Sequence, residues 1–185
     1  MTLEDYAWNF HERELYESGQ ATIPSPYKLK ILDDSQKRLE LEQILVQLPQ
    51  KYLALWAMES ANRHTDMIDI GDDDKKQQIL TQVEEVFEKR LTRKASAYEL
   101  RQAGFLAQKL SQQARSSVSK YAARIFAQAV ATAHMRGHAV VSADYAVKVV
   151  NLLSPDDIEA VRKEREKQIA LATKWQKSAE IEKKD

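Results

Sequence analysis

The chain has 185 residues, 43% of them hydrophobic, which is enough to bury one core of ordinary size without disulfide or metal support. Its 28 basic and 28 acidic residues cancel, so no overall positive charge favours a nucleic acid, and the absence of cysteine excludes thiolate metal sites and thiol catalysis. Without a secretory signal or a run of about 18 apolar residues, we expect a cytoplasmic protein with neither membrane nor nucleic-acid partners.

The first 27 residues predict a short helix and a proline-rich connector. Thr2 and Asp5 have the spacing of a capping box, and apolar residues repeat at helical spacing as far as Phe10. Pro24 and Pro26 then exclude a helix, because each ring removes a backbone donor and restricts the preceding residue. The alternating stretch 28–32 has no predicted strand to pair with, so we expect a loop there.

Residues 28–160 predict the core of a helical bundle. One of Asp33, Asp34 and Ser35 is expected to cap its first helix, and Pro49 fits the first turn of the second. A third, amphipathic helix is indicated over residues 79–91, and Ser96 with Glu99 forms a capping box for a fourth.

The stretch from Tyr121 to Ala133 predicts the central helix of the bundle. It is apolar on three sides and rich in alanine, which allows neighbouring helices to approach closely. Gly137 is expected to end or kink this helix in the left-handed conformation of a C-terminal cap. A further helix follows over residues 138–153, where acid-before-base spacing favours a helix over a strand.

The last predicted helix begins at Ser154, with Pro155 in its first turn, and becomes strongly charged beyond Arg162. The sequence therefore predicts an all-α, single-domain bundle of six to seven helices with a charged C-terminal helix. Its parts are an N-terminal helix and connector (1–27), the bundle core (28–160) and a charged helical tail (161–185).

Two histidines near the end of the central helix are candidates for chemistry. His134 and His138 are spaced one helical turn apart, as in a metal site, and Asp144 is the nearest candidate for a third ligand. However, Met135 stands where a zinc protease has its glutamate. The alternative interpretation makes His134 a packed side chain, hydrogen-bonded to a carbonyl or to the hydroxyl of Tyr145.

The same region supplies candidate binding residues. Four polar residues lie four positions apart along the central helix, as a recognition edge would, although any helix in a bundle needs a polar side. Together with the histidines and the nearby carboxylate, the candidate set is Arg124, Gln128, Thr132, His134, Arg136, His138 and Asp144.

No pattern in the sequence indicates a catalytic residue or a cofactor. The four glycines are isolated, so no phosphate-binding loop exists. The aspartates between positions 66 and 74 lack the alternating ligands and distal glutamate of a calcium loop. Ser116, Ser117 and Ser119 lie at a helix start without an acid–histidine relay beside them.

The stretch from Leu55 to Leu153 resembles a family of immunity proteins of bacterial polymorphic toxin systems. The resemblance is carried by residues 55–61, 101–108 and, most specifically, 127–134, with His138-Ala139 and Tyr145-Ala146. The family often has Gly-Gln where this chain has Ala127-Gln128, and Asp-Arg-Pro where this chain has residues 73–76. The resemblance implies neutralisation of a toxin by binding, and it names neither the toxin nor the contact residues.

Three hypotheses follow from the sequence. The first is a bacterial, non-enzymatic protein that binds a partner protein, such as a cognate toxin domain, and neutralises it by occlusion. The second is a ligand- or metal-binding helical protein, or an enzyme, that uses His134 and His138. The third is a structural or regulatory homodimer formed through apolar faces that one chain does not bury.

Overall fold

The apolar periodicity of the sequence produces helices throughout the computed structural model, which describes residues 1–184. Within these residues there are nine α-helices and a short 3-10 turn at Thr65–Met67. The helices are α1 Leu3–Tyr6, α2 Phe10–Glu17, α3 Ser35–Leu45, α4 Gln50–Asn62, α5 Asp73–Leu91, α6 Ala97–Gln113, α7 Ser117–Thr132, α8 His138–Leu153 and α9 Ile158–Glu182.

Side-chain caps define several helix starts, as the sequence predicts. Thr2 with Asp5, and Ser96 with Glu99, form complete capping boxes at α1 and α6. At α3 the cap is Asp34, whose carboxylate accepts a hydrogen bond from the backbone N–H of Lys37. These local signals place the helix starts because each cap satisfies a backbone donor that the helix itself leaves free.

The N-terminal segment contains two helices where the sequence predicts one. Ala7 is extended after α1, and the side chain of Asn9 accepts a hydrogen bond from the backbone N–H of Glu12, which starts α2. This break contributes to the count of nine helices in the described residues, against the six to seven predicted. No β-strand occurs within residues 1–184, so the stretch 28–32 is a loop as expected.

Two other predicted boundaries are wrong. Gly137 has a right-handed conformation (φ −57°, ψ −22°) and precedes α8, whereas α7 already ends at Thr132. The last helix begins at Ile158 with Asp157 as its cap, because Asp156 adopts a positive φ of 58° that no helix continues through. Pro155 therefore lies before the helix instead of in its first turn.

The central position belongs to α7, which packs against α4, α6 and α8. Its alanines at positions 122, 123, 127 and 129 are all buried, so the neighbouring helices lie close to its backbone. One apolar cluster joins α7 to α4, α5 and α6, and a second joins α7 to α3, α4, α8 and α9. Within the described residues, no helix has both the length and the apolar character needed to cross a membrane.

A buried carboxylate connects three helices across the second cluster. Asp144 on α8 accepts hydrogen bonds from Arg38 Nε (3.0 Å) and Nη2 (2.9 Å) on α3, and from Arg165 Nη2 (2.7 Å) on α9. Glu42 accepts from Nη1 of Arg38, and Asp33 accepts from Nε and Nη2 of Arg165. The last nitrogen of Arg165, Nη1, donates to the side-chain oxygen of Gln168. All three central side chains are at most 2% exposed, so the charges stabilise one another away from water.

We expect Asp144→Asn to lower the free energy of unfolding by about 3–5 kcal/mol, because it leaves two buried guanidinium groups without their shared carboxylate. The measurement is urea denaturation followed by circular dichroism. The matched control is Glu166→Gln, which removes a carboxylate from the exposed side of α9, next to Arg165. Equal stability of the two variants would contradict the structural role assigned to Asp144.

Candidate functional site

An open groove lies between α6 and α7 and ends at the turn into α8. Its volume is about 540 Å³. Small and apolar side chains of α6 and α7 form its base, among them Leu100, Ala127 and Ala131. Gly104 leaves the groove wide, because a Cβ added there would meet no heavy atom within 4 Å.

The two candidate histidines both line this groove. The amide Nδ2 of Asn9 lies 3.4 Å from His134 Nε2, so the N-terminal segment holds this ring from one side. Because an amide N–H donates, Nε2 is the acceptor and the proton of the neutral ring resides on Nδ1. That Nδ1 is buried and has no hydrogen-bond partner within residues 1–184.

His138 is held by one of the predicted binding residues. Its Nδ1 lies 2.6 Å from the side-chain oxygen Oε1 of Gln128 on α7. The amide oxygen accepts, so His138 donates from Nδ1 and presents Nε2 as an acceptor. The contact joins the beginning of α8 to the middle of α7 and fixes the orientation of the imidazole at the end of the groove.

Burial keeps both imidazoles neutral. It lowers the pKa of His134 below its ordinary value of 6.5, and the positive charges of Arg101 and Arg90 lower it further. Burial also lowers the pKa of His138, and a positive charge on His134 would lower it again. At neutral pH the groove therefore offers uncharged hydrogen-bonding groups between apolar walls.

Arg124 lies half-exposed on α7, one turn before the groove residue Gln128, and aromatic rings hold its side chain. Its guanidinium carbon is 5.2 Å from the ring centre of Tyr121 and 5.8 Å from that of Tyr145. The two tyrosine rings pack against each other with their centres 5.7 Å apart. These contacts orient the cation while leaving it accessible to a partner.

The other three predicted binding residues lie inside the protein. The hydroxyl of Thr132 donates to the carbonyl of Gln128, and Asp144 occupies the ion cluster described above. Arg136 is buried and donates to the carbonyl oxygens of Leu45 and Leu48, both at 2.9 Å. Of the predicted binding residues, Thr132, Arg136 and Asp144 therefore lie in the core. The other four are partly exposed: Arg124, Gln128, His134 and His138.

Arg136 and its neighbours also hold the N-terminal helices in place. The carboxylate of Glu12 on α2 accepts hydrogen bonds from the backbone N–H groups of Arg136 (2.7 Å) and Gly137 (2.9 Å). Glu12 thus caps the beginning of α8 from a distant part of the chain, which places Asn9 beside His134. The partner of His134 is therefore Asn9, and not a carbonyl or Tyr145 as the sequence suggested.

The structure gives no third ligand to the predicted histidine pair. The oxygens of Asp144 are both bound by arginines. In the part of the chain that the structure describes, no three or more His, Asp or Glu side chains are grouped so as to hold a metal ion.

Two exposed residues of α6 belong to the site and were missed by the sequence analysis. Phe105 is 64% exposed and lines the groove together with Arg101. A signal for Phe105 was present, since it falls outside the apolar stripe formed by Leu100, Ala103 and Ala107. An aromatic side chain that a helix turns towards solvent is a candidate contact residue.

Over residues 43–174, which include the whole groove, the chain matches the family described as Imm-5 like putative immunity protein. This match covers well over half of the chain, so the protein belongs to that family, as the sequence resemblance predicts. No curated protein and no solved structure matches the chain.

The lowered histidine pKa values predict a loss of stability in mild acid. As pH falls through about 6.5, histidines of the unfolded chain take up protons, whereas His134 and His138 in the folded protein do so only at lower pH. The unfolded state then binds more protons, so the free energy of unfolding decreases. We expect this decrease between about pH 7.5 and pH 5.5, measured by urea denaturation.

A double variant, His134→Gln with His138→Gln, measures how much the two groove histidines contribute to the loss of stability in mild acid. The buried His64, whose pKa is also lowered by burial, remains in both proteins and acts as an internal reference. The double variant should show a smaller decrease in stability over the same pH range. An unchanged decrease would mean that the groove histidines do not have the lowered pKa values described above.

Proposed function

We propose that this protein neutralises a partner protein, a cognate toxin domain, by binding it and covering its functional surface. The observation that carries the proposal is the open groove between α6 and α7, which lies within the part of the chain that matches the immunity family. The proposed place of action is the bacterial cytoplasm, with which a chain without cysteine is compatible.

The chemistry of the groove suits the anchor of a protein–protein interface. Interface hot spots are rich in aromatic side chains and arginine, and they centre on a pocket from which water is excluded. Here the exposed ring of Phe105 lies beside a pocket large enough for a partner's apolar side chain.

The predicted binding residues take two different roles in this proposal. Gln128, His134 and His138 line the groove and contact the partner directly. Arg124, one turn before Gln128 on α7, contacts the partner outside the groove. The buried residues Thr132, Arg136 and Asp144 position the helices that carry the contact residues.

Substitutions at Gly104 test whether the groove is the contact surface. We expect Gly104→Ala to raise the free energy of unfolding by about 0.5–1 kcal/mol, because alanine favours the helix and its methyl group meets no neighbour. This variant should neutralise the toxin as the wild type does. Gly104→Trp should fold, fill the groove and lose neutralisation. The measurements are thermal unfolding and growth of cells that co-express a candidate toxin, taken from the gene next to the one for this protein.

The alanine variant is the matched control for the tryptophan variant, since both remove the same glycine and only one obstructs the groove. Full neutralisation by a folded Gly104→Trp protein would exclude the groove as the contact surface. A toxin that remains fully active with an excess of the wild-type protein would exclude immunity towards that toxin.

A further inference from the structure

The chain has no net charge, but its basic and acidic residues are unevenly distributed along the sequence. From Leu100 to Leu153 there are seven basic residues and one acidic residue, Asp144. The rest of the chain has 21 basic and 27 acidic residues. The region that contains the groove is therefore positively charged, and the remainder of the molecule is negatively charged.

The structure shows which of these charges reach the surface. The single acid, Asp144, is enclosed by Arg38 and Arg165. Of the basic residues, Arg136 is buried on backbone carbonyl groups. Arg115 is exposed, but its guanidinium lies beside Gly71, in the loop that carries the aspartates between positions 66 and 74. The remaining five are at least partly exposed: Arg101, Lys109, Lys120, Arg124 and Lys148. We call the exposed surface of α6, α7 and α8 that carries them the basic face.

Within residues 1–184, no acidic side chain forms a salt bridge with a cation of the basic face. Among residues 1–184 the salt bridges join cations of other helices and loops to their acids, and none includes any of the five cations of the basic face. Five unpaired like charges on one surface repel one another unless an outside group balances them. Their arrangement is complementary to a negatively charged partner.

The cations surround apolar contact groups. Arg101 and Lys109 stand one helical turn before and after the exposed Phe105, so all three project from the same side of α6. On α7 and α8, Arg124 and Lys148 lie over the ring of Tyr121, at 5.2 Å and 5.8 Å. These ring contacts restrict the two side chains before binding, which reduces the entropy lost when a partner is bound.

We propose that the basic face binds an acidic segment of a partner protein, with one aromatic or large apolar side chain inserted into the groove between α6 and α7. The carboxylates of the segment pair with Arg101, Lys109 and Arg124. The inference rests on the proposed function, because the acidic segment is taken to belong to the protein that is neutralised. Beyond the proposed function, the segment is negatively charged, and the side chain that enters the groove is aromatic or large and apolar.

The apolar groups favour a protein over a nucleic acid as the occupant. A surface that binds nucleic acid uses cations to follow a phosphate backbone, and its affinity comes mainly from released counterions. Here the cations border an apolar groove of about 540 Å³, and the chain as a whole has no net charge. Tyrosine, phenylalanine, methionine and arginine, all present on this face, are the residues enriched in protein interfaces.

The test measures binding of fluorescein-labelled peptides to the full chain by fluorescence anisotropy. The main probe is a short peptide of glutamate and aspartate around a central tryptophan. Three other probes are the same peptide with alanine for tryptophan, the same peptide with lysine for every acid, and a short DNA duplex. We expect the acidic tryptophan peptide to bind most tightly, and its affinity to fall with added salt.

Charge reversal locates the binding surface. Arg101→Glu with Arg124→Glu should weaken binding of the acidic tryptophan peptide by about tenfold or more. The matched control, Lys163→Glu with Lys177→Glu, changes the net charge equally on the exposed side of α9 and should have a much smaller effect. Should the Arg124 change unfold the protein, Arg101→Gln with Lys109→Gln removes two charges from α6 alone and tests the same surface.

Several results would overturn the inference. These are tighter binding of the DNA duplex than of the acidic peptide, equal binding of the lysine peptide, and equal effects of the two charge reversals. Neutralisation of the neighbouring toxin by the Arg101→Glu, Arg124→Glu protein would also overturn it, while leaving the proposed immunity function in place. Conversely, peptide binding by a wild-type protein that neutralises no toxin would support the basic face and refute the proposed function.

Discussion

The buried contact of Asp144 with Arg38 and Arg165 is the interaction on which the position of α8 depends. It joins α8 to α3 and α9, and no part of the cluster has access to water that could replace a missing partner. On its other side, α8 is joined to α7 by the hydroxyl of Ser142, which donates to the carbonyl of Ile125 at 2.9 Å. With α8 held on both sides, His138 has a defined place at the end of the groove.

A second set of contacts shapes the same region from the N-terminal end of the chain. Glu12 caps α8, and Arg136 binds carbonyl groups at the end of α3. The turn between α7 and α8 is therefore held by residues far away in sequence, and Asn9 is brought to His134. These contacts explain why the two histidines are neutral, since the helices packed around them keep water away.

The separation of charge follows from the same architecture. Because α8 carries its acid into the core, Glu99 in the first turn of α6 is the one exposed acid on α6, α7 and α8, and the other exposed charges of these helices are positive. A neutral composition is thus compatible with a surface that attracts an acidic partner, and the groove beside Phe105 gives such a partner a specific point of attachment.

Local patterns in the sequence determined the helical class, the caps of Thr2, Asp34 and Ser96, the central α7 and the family, because helix periodicity and capping act between residues a few positions apart. The sequence also pointed to His134 and Gln128. Only the tertiary structure decided that Asp144 and Arg136 are internal, that Asn9 meets His134, and that Phe105 borders a groove. Those outcomes depend on contacts between different helices, 106 positions apart for Arg38 and Asp144 and 125 for Asn9 and His134. Periodicity and capping act over a few positions, so no local pattern encodes such contacts.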